Sequence, residues 1–414
     1  MNAVGIVILT ALVGEYILNL ISDRFNLRHL DPAVPDAFAD VYDADRYRRS
    51  QEYLRTTTKF GWVAGGVDLA AFLIFWLAGG FPFLDTWVRS LGLGPVPTGL
   101  IFIGVLVLFQ TAIHLPFDIY STFVIEARFG FNRTTPRTFV ADRLKGLALM
   151  AALGGPLLAG VLIFFEFAGP HAWLLCWGAV TLYLLAVQYV APTWIMPLFN
   201  RFEPLADGEL RRRIFDYARS VGFPLDNVFV IDGSRRSEKS NAFFTGFGKH
   251  KRIALFDTLM ERHPDREIMA VLAHEIGHYK KHHILESLII GILHLGVVFY
   301  LLSLFLTAPP LFSAFYLDQP SVYAGLVFFG ILYAPIELIL GLILQMRSRK
   351  NEYDADRYAV RTTGDPDALA DALKTLSAHN LSNLTPHPVY VLLHYSHPPV
   401  LDRLRAIRGA RPAS

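Results

Sequence analysis

A chain of 414 residues that is 53% hydrophobic and only 18% charged is too apolar for an ordinary soluble enzyme. Its mean hydropathy of +0.37 calls for several membrane spans. The net charge of +2 carries no signal for an acidic partner, and the single cysteine, Cys176, excludes an internal disulfide and any cysteine-built metal site.

Seven apolar runs read as spans, at about 3–22, 60–80, 99–119, 147–168, 172–195, 284–308 and 321–346, each near the ~20 residues a bilayer requires. The first has no basic residues ahead of it and no small-residue cleavage site after it, so it reads as a retained span. The first connection carries Arg24, Arg28, Arg46, Arg48, Arg49, Arg55 and Lys59; the second carries only Arg89. The third carries Arg128, Arg133, Arg137, Arg143 and Lys145, the fourth and sixth none, and the long fifth and the tail are basic. This alternation puts connections one, three and five and the tail in the cytoplasm. Because the basic residues follow membrane topology, nucleic-acid binding has no support. Glu15, Asp68, His294 and Glu337 lie within spans, where ionisable groups face protein or water. Together they suggest a polar interior between the helices.

The fifth connection reads as a folded unit. Residues 209–221 form an amphipathic helix, and 227–231 a short strand ending at Asp232-Gly233. Residues 241–247 and 252–256 form a hairpin about the turn 248–251, and a helix begins near Pro264. The helical run 267–283 contains His274-Glu275-Ile276-Gly277-His278. Residues four apart share a helix face, so His274 and His278 can offer imidazole nitrogens to one ion, with Glu275 beside them as a general base. That is the zinc metalloprotease arrangement. A hydrolytic zinc takes three protein ligands and keeps one position for water. The last two spans form a hairpin that returns Glu352 to the face of His278, which makes Glu352 the third ligand. Asp356, one turn on, can accept a hydrogen bond from a ligand imidazole. Residues 365–379 read as a helix, 380–395 as looser chain, and 401–408 as a basic helix.

The sequence resembles the type I CAAX prenyl endopeptidases, membrane-embedded zinc proteases of the gluzincin group, over nearly its whole length. The resemblance rests on the run 115–126, Gly130-Phe131-Asn132, the run 240–244, the histidine motif, the run 352–356, and Ser396-His397-Pro398-Pro399 with Arg403. It implies seven spans around a water-filled chamber, a zinc domain at the cytoplasmic end, and removal of a C-terminal tripeptide after a prenylated cysteine. It implies His274, His278 and Glu352 as ligands of one zinc ion, Glu275 as base and Asp356 behind a ligand. It also implies Asn241 and Ala242 on a substrate-binding strand, with His397 and Arg403 near the bound peptide. His397 suits an oxyanion donor, and Arg403 a fork for the substrate's terminal carboxylate.

The expected fold is an all-α polytopic membrane protein with a cytoplasmic zincin-like α domain carrying a small β-hairpin. The expected division is a five-span unit over 1–195, a cytoplasmic loop domain over 196–283, a two-span hairpin over 284–346 and a cytoplasmic part over 347–414. The expected function is a zinc endopeptidase cutting near the C-terminus of CAAX-type substrates, prenylated or not. Its partners are a peptide or protein substrate and the bilayer of a bacterial inner membrane or an endoplasmic reticulum. Two rivals stand beside it: a quality-control zinc protease of unprenylated or misfolded proteins, and a lipid- or peptide-handling protein with a structural zinc. A structural site would be closed by a fourth protein ligand and have no use for Glu275.

Overall fold

The computed structural model describes residues 1–245 and 251–409. Residues 248–250 of the turn expected at 248–251, the end of the strand before it and the last five residues lie outside them. Membrane-length helices occur where seven spans were expected. In order, the helices and strands are α1 (Ala3–Arg28), α2 (Ala44–Leu77), α3 (Gly80–Ser90), α4 (Pro95–Tyr120), α5 (Pro136–Leu149), α6 (Gly155–Phe167), α7 (Ala172–Val190), β1 (Phe202–Pro204), α8 (Glu209–Ser220), β2 (Leu225–Ile231), β3 (Ala242–Thr245), β4 (Lys251–Phe256), α9 (Asp257–Arg262), α10 (Asp265–Lys280), α11 (His283–Phe305), α12 (Pro309–Ala314), α13 (Val322–Thr363), α14 (Pro366–His379), α15 (Pro388–His394) and α16 (Val400–Gly409). A π-helical turn over Met150–Gly154 joins α5 to α6, and another over Ala191–Ile195 extends α7. Pro156 and Pro192 lie at these turns, where a missing N–H and a ring clash interrupt regular bonding.

The spans neighbour one another in a ring: α1, α2, α4, α6, α7, α11, α13 and back to α1. They pack solidly at one end only. There Ile8, Trp76, Phe81, Phe102, Leu162, Cys176, Phe299, Phe315 and Phe328 share one core. The segments α3 and α12, expected as plain loops, are short helices that plug this end, and Trp76 Nε1 donates to the Ala314 carbonyl at 2.9 Å. Away from the plug the helices part. Only 6–17% of each span's most apolar window is buried, whereas a solid ring would bury the inward face of every helix. Asp68 and Gln110 border a cavity of about 490 Å³ between α1, α2, α4 and α13. The expected polar interior is there: His114 Nε2 lies 3.1 Å from Asp68, and His294 Nε2 lies 3.3 Å from Glu337.

The other end is built from connections one, three and five and the tail. Asn26 Oδ1 accepts from Asn383 Nδ2 and from the His387 backbone N–H, both at 3.1 Å. Phe38 and Tyr47 pack with Ala273, Leu384 and Leu404. The sheet here has four strands in the order β1-β2-β4-β3, so it is larger than the hairpin expected. The hairpin partners β3 and β4 are antiparallel, β4 runs parallel to β2, and β3 stands at an edge. The three-residue β1 is too short to leave a periodic signal.

Two helices differ from expectation near the histidine motif. The run 267–283 is not one helix: α10 stops at Lys280, His282 takes φ +60°, and α11 starts at His283. The segment after the last span continues the same helix. α13 continues for 42 residues, about 63 Å at 1.5 Å per residue. That is about twice the ~30 Å hydrocarbon thickness. No glycine or proline interrupts the chain between Gly341 and Gly364, whose φ of +67° ends the helix. The first half of α13 is the span; the second half carries Glu352 and Asp356.

Candidate active site

Helices α10 and α13 meet at glycine. A Cβ on Gly277 would lie 3.1 Å from the Ala355 Cα and carbonyl oxygen, so only glycine allows this approach without displacement. Gly277 precedes His278, and Ala355 lies between Glu352 and Asp356; the closest helix contact is therefore at the histidines.

There the donor atoms converge. His274 Nε2 and His278 Nε2 are 3.2 Å apart. Glu352 Oε1 is 3.3 Å from His278 Nε2, and its Oε2 is 3.5 Å from His274 Nε2. A tetrahedral zinc with bonds of ~2.0–2.1 Å spaces its ligands by about 3.3 Å, so this donor set fits zinc. Among the described residues, these three alone form a metal-competent group, with ligand atoms all within 4.8 Å. Glu352 is 4% exposed, and its Oε2 makes no hydrogen bond, only an ion-pair approach from Arg403 Nη1 at 3.3 Å, so the carboxylate keeps capacity for a metal ion. Burial opposes charge on His274, but bonding to Asp356 and Glu352 prevails and pushes the imidazole up to about 9. The two buried carboxylates, Glu352 and Asp356, thus favour a cation here, and His274 must give up its Nε2 proton to ligate a metal ion.

Each imidazole is held from behind. Asp356 Oδ1 lies 2.8 Å from His274 Nδ1 and so fixes the tautomer that leaves Nε2 free. His283 Nδ1 stands 3.1 Å from His278 Nδ1. His283, 7% exposed, was missed in the sequence because the run was taken as one helix; the break at His282 is what turns it back. Glu275 follows His274 on α10, and burial pushes its carboxyl above the ordinary range, with His274 and His278 opposing.

The tail completes the site. His397 Nε2 lies 3.3 Å from Glu352 Oε1, and its ring remains largely exposed. Arg403 lies behind the ligand residues. It is 8% exposed, and its Nε and Nη2 donate to the two Asp356 carboxylate oxygens at 2.8 and 2.6 Å. Its Nη1 is 3.3 Å from Glu352 Oε2. The guanidinium thus meets both metal-site carboxylates. Asn241 is exposed at the foot of edge strand β3, and Ala242 pairs with Leu255.

Two family models match the chain: "CAAX prenyl protease N-terminal, five membrane helices" over residues 24–201, and "Peptidase family M48" over 204–411. The chain belongs to peptidase family M48. It is 36% identical to CAAX prenyl protease 1 of Saccharomyces cerevisiae over 90% of this chain and 88% of that one. It is 36% identical to the CAAX prenyl protease 1 homolog of Arabidopsis thaliana over 96% of each, and 30% identical to the Homo sapiens homolog over 91% and 88%. The crystal structure of S. mikatae Ste24p superposes with a TM-score of 0.93 at 33% identity, covering 98% of this chain and 99% of that one. This M48 member is a multi-pass membrane metalloprotease that uses one zinc ion and takes a peptide or protein substrate.

Proposed function

We propose that this chain cuts near the C-terminus of CAAX-type proteins, prenylated or not, at a zinc ion held by His274, His278 and Glu352. The convergence of those three donors, two of them on the helix that packs against edge strand β3, carries the reading. The name the relatives share, CAAX prenyl protease 1, supports the substrate class.

When bound, zinc supplies Lewis acidity toward the scissile carbonyl and acidifies water. Glu275 takes the proton of the attacking water and passes it to the departing amine. His397 donates a hydrogen bond to the oxyanion as it develops. Asp356, Arg403 and His283 keep the two ligand imidazoles in register. The peptide lies along β3 as an added strand, bonding at Asn241 and Ala242. In the free protein the Ala242 N–H is held by Asn241 Oδ1 at 2.8 Å, a bond the substrate replaces. The cavity between α1, α2, α4 and α13 sets Leu12, Phe72, Phe75 and Phe109 beside Asp68 and Gln110, an apolar wall that suits a prenyl chain.

The basic connections gather at the zinc end, which supports a cytoplasmic active site. A cysteine at position 135 in a Cys176→Ala background should label from the cytoplasm; labelling from the outer face would reverse this orientation. The substrate reading is tested by incubating purified protein with matched prenylated and unprenylated CAAX peptides and reading the cut sites by mass spectrometry. Cleavage after the CAAX cysteine supports it, and an intact C-terminus in both peptides contradicts it.

A further inference from the structure

A second cavity, of about 330 Å³, lies in the zinc-bearing end of the molecule, and none of the metal ligands lines it. Its walls carry Arg46, Arg49, Arg133 and Arg262 against one carboxylate, Glu238. That carboxylate is already divided: Oε1 accepts from Arg133 Nε at 2.5 Å, and Oε2 accepts from Arg262 Nη2. Among the described residues, neither Arg46 nor Arg49 has a carboxylate within 4.0 Å. Arg46 Nη2 points instead to His379 Nδ1, at 3.2 Å. Burial, then Arg46 and Arg262, push the His379 imidazole down to about 4, so it stays neutral and can accept from Arg46. Guanidinium groups keep their charge at any working pH, and the cavity is strongly positive.

The cavity is also built from a motif that the peptidase chemistry leaves unexplained. Gly130, in Gly130-Phe131-Asn132, takes φ +79°, and a Cβ there would lie 3.3 Å from Arg49 Nη2. Glycine thus serves both the turn and the approach of the guanidinium. The turn grips the neighbouring wall: the Phe131 carbonyl accepts from the Glu238 N–H at 3.0 Å, and Asn132 bridges Ser237. Two residues on, Ser240 N–H donates to Asn380 Oδ1 at 3.2 Å, directly before Asn241 and β3. Phe129, Phe131 and Leu381 give the cavity an apolar floor.

We propose that this cavity binds a phosphate-class anion, a phosphomonoester or diphosphate, either free or as a lipid headgroup. Four arginines with one shared carboxylate leave more charge than a single carboxylate ligand would balance. Guanidinium forks match phosphate oxygens. The apolar floor accepts the organic body of the ligand, and the volume suits a small group.

The test uses the full-length, zinc-loaded protein. Inorganic pyrophosphate is titrated calorimetrically in neutral detergent. In parallel, the protein is reconstituted into phosphatidylcholine discs with or without phosphatidic acid, and retained lipid is read by native mass spectrometry. The proposal predicts saturable binding of one probe, weakened at least about tenfold by Arg46→Ala and by Arg49→Ala. Binding of pyrophosphate assigns a free ligand; retention of phosphatidic acid assigns a lipid. Arg49 is exposed, so Arg49→Ala should fold even if Arg46→Ala does not, and its unchanged zinc content would confirm that. The proposal is overturned by no saturable binding of either probe, by binding that Arg49→Ala leaves unchanged, or by binding of a glutamate-rich peptide in place of pyrophosphate. Binding is read without turnover, so its failure is separate from any failure of the protease reading.

Discussion

Gly277 and Ala355 are the point where the two ligand-bearing helices touch, with 3.1 Å between an ideal Cβ on the first and the backbone of the second. Gly277→Ala must part the helices by a few tenths of an ångström. The substitution gains up to about 1 kcal/mol in helix propensity, and overpacking costs about 1–3 kcal/mol. The expected outcome is a zinc site that loses its ion to a chelator more readily, with a lowered melting temperature. Unchanged chelator competition would show that the approach of α10 to α13 does not set the donor spacing.

Glu275→Gln should keep its zinc and lose about 10²–10⁴ in kcat, because the amide fills the same space but accepts no proton. Zinc analysis beside peptide turnover checks this. Near-normal turnover would remove Glu275 from proton transfer.

The pH profile reports the same group. Burial raises the Glu275 carboxyl above 4.5. The base works only when ionised, so kcat/KM should fall as pH drops through that raised value. The acid limb of the profile, measured at saturating zinc, should lie above pH 4.5. A limb at or below that value would show that burial does not govern this carboxyl.

Arg403→Ala leaves Asp356 buried without its guanidinium. Removing one partner of a buried pair costs about 3–5 kcal/mol, so stability and zinc retention should fall together. Peptides with a free C-terminal acid and their amides should lose turnover equally. A loss confined to the free acids would assign Arg403 to carboxylate recognition.

The histidine pair was legible because helix spacing is local: four residues put two imidazoles on one face wherever the helix lies. Glu352 was legible through topology, since two spans return the chain to the same side. Asp356 followed by one further turn. The pairing of Arg403 with Asp356 was not legible because the two are 47 residues apart, and nothing in a sequence pattern tells which carboxylate a buried guanidinium meets. His283 was hidden by a helix break at a histidine, a residue with no strong breaker signal. The plug helices α3 and α12 were invisible for a related reason: they are short, and their partners come from spans far along the chain.

The most direct test of the account is the zinc content of Glu352→Ala. Purified wild-type protein should carry one zinc ion per chain by elemental analysis. The variant should lose most of that zinc and its peptide cleavage together, because two imidazoles alone cannot hold a hydrolytic site. Stoichiometric zinc in Glu352→Ala would contradict the three-donor centre, whatever its activity.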